Sequence, residues 1–294
     1  MTYPHLLLLI LINAAWGLNF VAGKIGTEVF GPLLFSTARF AIVLLLLLPF
    51  LRRVPGQMST ILWVGLTLGA GHYTLMFYGL HLAGSLSSVA IAVQLTVPFS
   101  TILAIVFLKE RVALIRAAAI AMSFAGVVVI GFAPMGAEHV YAMCLVTLAA
   151  LAMAIAAILM RRLSGVGVFN LQAWIAIVAT ISLALATWIF ESPSYEHIIS
   201  ISLADYWSPL YSAVGATIFG HGSLYFLLQR YAVTHVAPLT SSATLFGIAF
   251  SLWLLDDQLT LQIFIGGILT LFGVTIIAIR NARRSTPSSL RVPR

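Results

Sequence analysis

Ten apolar runs follow one another along this chain, parted only by short stretches of proline, glycine and charge. They cover residues 5–26, 33–50, 59–82, 86–108, 115–133, 140–160, 169–190, 207–229, 237–255 and 261–279. A helix needs about 20 apolar residues to cross the hydrocarbon of a bilayer. The pattern therefore predicts an all-α polytopic membrane protein with ten transmembrane helices. Composition excludes the soluble alternative: charged residues are 8% of the chain, against roughly 25% in a soluble domain, and the mean hydropathy is +1.08. The opening residues Met1-Thr2-Tyr3-Pro4-His5 lack the basic patch and cleavage site of a signal peptide, so the first run is expected to be a retained helix. The single cysteine, Cys144, lies inside an apolar run, which leaves no disulfide framework or cysteine-based metal site. No cofactor and no metal are expected.

The basic residues sit almost entirely between the runs, so the formal charge of +7 is a topology signal and not a nucleic-acid footprint. Arg52 and Arg53 follow the second run, Lys109, Arg111 and Arg116 the fourth, Arg161 and Arg162 the sixth, Arg230 the eighth. Arg280, Arg283, Arg284, Arg291 and Arg294 follow the tenth. Glu28, Glu138, Glu191, Glu196, Asp205, Asp256 and Asp257 collect on the other side if the runs alternate. By the positive-inside rule both termini are cytoplasmic. Only Lys24 and Arg39 are basic and off that side.

The two halves resemble each other. Gly126-Val127 aligns with Gly273-Val274 and Leu108 with Leu255, each 147 residues apart, which sets Glu110 on Asp257. Gly71-His72 aligns with Gly220-His221, Leu75 with Leu224 and Ala83 with Ala232, each 149 apart. Five runs per repeat is an odd number, so the second repeat enters the membrane inverted, an architecture of transporters. The expected division is one repeat over 1–134, a second over 135–280, and a basic cytoplasmic tail over 281–294.

Single polar residues inside apolar runs are expensive in lipid and mark pathways. On the first run Asn13, Trp16, Gly17, Phe20 and Lys24 share a helical stripe with Asn19 at its flank. Lys24, near the outer end, has snorkelling as its competing role. His72 sits on the third run and His221 at the matching place of the second half, with Tyr225 on its face; Tyr73 and Tyr78 fall on other faces. For each histidine the competing role is a hydrogen bond to a neighbouring helix. The fourth run places Gln94, Pro98 and Thr101 on one stripe, and Pro98 withdraws a backbone donor one turn after Gln94. The ninth lines up Thr240 and Thr244, hydroxyls that can also serve their own helix. Met143 and Met153 of the sixth run offer an adaptable apolar wall. The candidate substrate-binding set is therefore Asn13, Trp16, Asn19, Phe20, His72, Gln94, Pro98, Thr101, His221, Tyr225, Thr240 and Thr244.

Trp16-Gly17-Leu18-Asn19-Phe20-Val21, Ala38-Arg39-Phe40, Phe107-Leu108-Lys109-Glu110-Arg111, Leu254-Leu255-Asp256-Asp257-Gln258 and the paired Gly126-Val127 and Gly273-Val274 stand in order along the chain. In that order they resemble the motifs of the EamA-type members of the drug/metabolite transporter superfamily. Lys109 and Asp257 depart from the usual Gly and Glu. Within the family the chain most resembles the YddG-type exporters of aromatic and other neutral amino acids. The resemblance implies a multi-pass protein of the bacterial cytoplasmic (inner) membrane that exports small metabolites. It also implies a central cavity lined by the first, third, fourth, sixth, eighth and ninth helices.

The residues point to an uncharged pocket. No Asp or Glu lies mid-span, which argues against carboxylate-based proton antiport. A dianionic nucleotide sugar would need several basic groups, and only Lys24 and Arg39 are available. Zwitterionic or neutral cargo fits best, coupled through a histidine or moved by facilitated diffusion. The expected partners are a small-molecule substrate and the lipid bilayer, not nucleic acid. The broader alternative is export of other small drugs or metabolites. A different class, an intramembrane enzyme, lacks support: the histidines never take the His-Glu-x-x-His spacing of a metalloprotease.

Overall fold

In lipid every backbone polar group must be satisfied within the protein, which leaves the helix as the answer for runs of this length. The computed structural model describes residues 1–108, 114–231, 236 and 239–285. Lys109, Glu110, Arg111, Ala232, Pro238, Arg291 and Arg294 lie outside the described residues. Among the described residues, eight helices are long and apolar enough to cross a membrane. They are α1 (Tyr3–Phe30), α2 (Pro32–Phe50), α3 (Met58–Leu82), α4 (Leu86–Phe107), α5 (Leu114–Gly131), α6 (Ala137–Met160), α7 (Val168–Glu191) and, last in the chain, the one over Leu261–Asn281. Between the last two stand an unbroken helical run over 207–228, here α8, and a shorter apolar helix, α9 (Ala243–Leu254). The final helix, α10, continues to Ser285 and so enters the expected tail.

Local sequence explains the boundaries. Gly31 adopts φ 83° and its N–H closes on Thr27 O; a β-carbon would be strained in that conformation. Pro32 then opens α2, where its missing N–H costs nothing. The orphan N–H groups of Leu33 and Leu34 are taken by the two carboxylate oxygens of Glu191, at 2.7 and 2.9 Å. Negative charge at a helix N-terminus also meets the helix dipole favourably. At the start of α4, Asp257 plays the same part: it accepts from the Ser87 N–H at 2.8 Å and from the Ser85 and Ser87 hydroxyls.

The two halves meet through antiparallel helix pairs. On α5 and α10 the contacts are reciprocal. Gly126 lies against Thr270, and Gly273 lies against Ser123; the partners in each case are themselves 147 residues apart. Thr270 Oγ1 donates to Gly266 O at 2.8 Å and across the interface to Ser123 O at 3.3 Å. Arg116 pairs with Asn281 at one end. As the residue number rises on one helix it falls on the other, so the pair is antiparallel. Small residues at such a crossing let backbones approach without a hydrophobic driving force. α2 and α7 pair likewise: Thr37 meets Thr187 at 3.2 Å, and the Arg52 N–H meets Asn170 Oδ1 at 2.9 Å.

Both α3 and α8 carry a wide π-helical segment, over Gly65–His72 and Ser212–His221. Each ends on a histidine, and those histidines are the pair aligned between the halves. The molecule's outward face is apolar, with Leu45, Phe107, Trp188 and Phe272 all exposed. Arg39, Asn13, His72 and Thr217 are buried instead. That inversion of the soluble pattern is what a lipid solvent selects.

Candidate transport cavity

Trp16 comes into place through a missing side chain on another helix. Gly220 of α8 packs directly against the indole, and a β-carbon there would fall inside van der Waals contact with Nε1. The indole N–H donates to Ala216 O at 3.0 Å, inside the π segment. The ring sits 5.5 Å from that of His221, centroid to centroid. One turn on, Asn19 Oδ1 accepts from Ser212 Oγ at 2.7 Å. Both α8 partners, Ala216 and Ser212, belong to the π segment, so the first helix is tied to the wide turn that ends at His221.

These groups surround a cavity of about 240 Å³. Trp16, Asn19 and Phe20 of α1 face Ala216 and His221 of α8. His72, Tyr73, Met76, Phe77 and Leu80 come from α3, Val93 from α4, Met153 from α6 and Arg39 from α2. Both halves contribute. His72 Nδ1 is 2.9 Å from Ala149 O. A carbonyl only accepts, so Nδ1 carries a proton, and in the neutral ring Nε2 is left as an acceptor.

Arg39 is 2% exposed. Its Nη2 donates to Thr217 Oγ1 at 2.8 Å and to the Tyr73 hydroxyl at 3.4 Å. Nε and Nη1 are buried with no hydrogen-bond partner. Among the described residues the only ion pair is Lys24 with Glu28, so no carboxylate compensates this guanidinium. Its carbon lies 4.4 Å from the Tyr73 ring centroid, with Phe40 and Phe77 further off. A desolvated cation–π contact returns about 2 kcal/mol, while burying an ion still costs several kcal/mol after relaxation. The aromatic box holds the cation in place without balancing it.

Trp16, Asn19, Phe20, His72 and His221 of the expected set thus come together, with Met153 as the apolar wall. The other members stand elsewhere. Asn13 is buried and donates to Leu9 O of its own helix at 2.8 Å, its Oδ1 unpartnered. Gln94 reaches across to Ser241 O at 3.3 Å. It lies in a 3₁₀ turn over Val93–Leu95, where the Val93 carbonyl accepts from Thr96 Oγ1 at 2.8 Å. Pro98 is buried in the helix that follows. Thr101 donates to Val97 O and accepts from Asn281 of α10 at 3.0 Å. Thr244 bonds Ala90 O at 3.3 Å, and Thr240 lies half-buried just before α9. Tyr225, one turn beyond His221, is 42% exposed. The cavity therefore borrows no residue from α9 and gains Arg39 from α2, against the expectation of an uncharged lining that included the ninth helix.

Arg39 and Tyr73 are the polar lining residues that the sequence-derived set left out. For Arg39 the signal was present: a mid-run arginine with no mid-run acid. For Tyr73 it was not: it stands about 100° around the helix from His72, and the wall that α3 gives the cavity, His72, Tyr73, Met76, Phe77 and Leu80, is wider than the His72 stripe alone. Lys24 caps the end of α3 instead of facing the cavity, donating to the carbonyls of Leu80, His81 and Ala83 at 3.3, 2.9 and 3.4 Å. Among the described residues no cluster of His, Cys, Asp or Glu could hold a metal ion.

Residues 4–132 and 140–279 each match the EamA-like transporter family. A "Probable amino-acid metabolite efflux pump" of Salmonella typhimurium is 28% identical over 277 residues, covering 92% of this chain and 93% of that one. Its namesake in Escherichia coli is 27% identical over the same shares. A solved crystal structure superposes with a TM-score of 0.62 at 16% identity, over 98% of this chain and 100% of the other; at that identity the likeness is one of fold. Two family-matching repeats that cover most of the chain, wrapped around one cavity, settle the identity: this chain belongs to the EamA-like transporter family, as a multi-pass membrane transporter.

Proposed function

We propose that the chain exports small neutral metabolites, foremost amino acids with apolar or aromatic side chains, across the bacterial cytoplasmic membrane by alternating access. In this reading ten helices cross the membrane as two inverted repeats, over 1–134 and 135–280. A basic tail over 281–294 follows, and both termini are cytoplasmic. The observation that carries the reading is the cavity, which takes its walls from both repeats and mixes aromatic surface with fixed dipoles. Its volume of about 240 Å³ falls below the roughly 300–1,000 Å³ of sites for drug-sized ligands, so metabolite-sized cargo fits. Trp16, Phe20 and Phe77 offer apolar surface to a side chain. Asn19 and the acceptor nitrogen of His72 offer polar contacts to a zwitterion. The relatives named as amino-acid metabolite efflux pumps support the same substrate class.

Orientation is supported by which loops share an end of the bundle. The α2–α3 and α6–α7 connections, which carry Arg52, Arg53, Arg161 and Arg162, are joined by Gln57 and Ser164 at 2.9 and 3.0 Å. Asp257 and Lys24 lie together at the opposite end, around a second, polar hollow of about 430 Å³. The test is flux from liposomes loaded with a panel of labelled compounds. Phenylalanine, tryptophan and methionine are expected to move, and glutamate and sugar nucleotides to move poorly. Strong glutamate or sugar-nucleotide flux without any neutral amino-acid flux overturns the reading.

A further inference from the structure

We propose that Arg39 is the carboxylate-binding residue of the cavity, and that cargo must bring a single carboxylate to it. This deepens the reading above and rests on it for the route the cargo takes. The argument starts from an imbalance. A guanidinium has five N–H donors, yet among the described residues only Nη2 finds partners, once at 2.8 Å and once at a long 3.4 Å. Nε and Nη1 are buried without partners, and no carboxylate pairs with the group among the described residues. The side chain lines the central cavity.

Each of the two forks of a guanidinium includes Nη2 and one of the nitrogens that are unpartnered here. A carboxylate docked on the fork whose Nη2 hydrogen points to Tyr73 takes one unused donor and replaces that long contact, gaining two parallel charge-assisted bonds while the Thr217 bond stays. It also supplies the missing countercharge. Thr217 fixes Nη2 from the far side, and its own hydroxyl proton goes to Ser212 O at 3.0 Å. That bond spans five residues, so the π turn of α8 holds the anchor.

The selectivity follows from charge. One carboxylate is matched by one guanidinium. A second carboxylate, as in glutamate or aspartate, finds no second cation, since Lys24 is engaged with carbonyls away from this cavity. An amine lacking a carboxylate meets an unscreened like charge. The amino group of a zwitterion has His72 Nε2 as acceptor.

The experiment compares ligands that differ only at the carboxylate. Purified protein in liposomes is assayed for phenylalanine counterflow with phenylalanine, phenylalaninamide, phenethylamine or 3-phenylpropanoate as competitor. Phenylalanine is expected to compete at least about tenfold better than the amide or the amine, and phenylpropanoate is expected to compete as well. Arg39→Met is expected to lose flux about tenfold or more and to lose the ligand-induced rise in melting temperature. Its ligand-free melting temperature should stay level or rise, because an uncompensated buried charge has been removed. Arg39→Lys keeps part of the flux. If phenylalanine is transported but the amide competes equally, the inference fails and the transport reading stands. If no amino acid moves, the transport reading fails, and melting shifts of the detergent-purified protein decide for Arg39: stabilisation by phenylpropanoate over its amide, abolished in Arg39→Met, supports it, and equal effects overturn it. Should Arg39→Met not fold, the competition series on the unaltered protein decides alone.

Discussion

His72 and Gln94 look alike from the sequence, each a lone polar residue inside an apolar run, yet they have different work. His72 is held by Ala149 O and lines the cavity, whereas Gln94 spends its amide on Ser241 O of the other half. His72→Ala removes a polar group of the cavity wall, worth on the order of 1 kcal/mol, and is expected to slow flux several-fold. Gln94→Ala is expected to lower the melting temperature while flux per folded protein changes less. A liposome assay normalised to folded protein separates the two, and equal flux losses would contradict the assignment. Trp16 and Gly220 make the second case. Gly220→Ala drives a methyl into the indole and is expected to cost about 1–3 kcal/mol of stability, the usual range for overpacking. Pairing it with Trp16→Phe, a smaller ring, should recover part of that loss. Thermal melts of the two single variants and the double variant measure the coupling.

Among the helices, the α5–α10 pair and the two π segments matter most. Gly126 and Gly273 occupy equivalent places, each facing a hydroxyl and a backbone carbonyl of the other helix. Gly126→Ala and Gly273→Ala are therefore expected to destabilise by similar amounts. Gly131→Ala, where a β-carbon meets nothing, should be neutral or slightly stabilising through helix propensity. Melting temperatures in detergent test this, and a large effect from only one of the matched pair would deny the symmetry. The repeat was legible in the sequence because Gly126 and Gly273 are forced by close packing, which leaves a mark at a fixed spacing. The π segments were not legible. Nothing in the residues of Gly65–His72 announces the wide turn, and once it forms, the 3.6-residue phasing no longer relates Gly65 and Gly69 to the cavity-lining residues that follow.

For the whole molecule, reporter fusions after Arg53 and Arg162 are expected to score cytoplasmic, and fusions near Ala83, Ala137 and Ser194 external. Two or more reversed loops would undo the inverted arrangement of the repeats. The sequence by itself determined the helical class, the repeat and the family, because in a bilayer these follow from local quantities: the length of an apolar run, the side on which arginines fall, and motifs at fixed spacing. Only the tertiary structure decided which polar residues meet. The cavity joins Arg39 to Thr217 and Trp16 to Ala216 across some 180 to 200 positions of chain, and it leaves Gln94, Thr101 and Thr244 to bind helices together. A polar group in a membrane helix reads the same in sequence whether it faces a neighbouring helix or a cavity. Helix packing makes the difference, by satisfying most of them and, among the described residues, leaving the cavity-lining Arg39 without a countercharge.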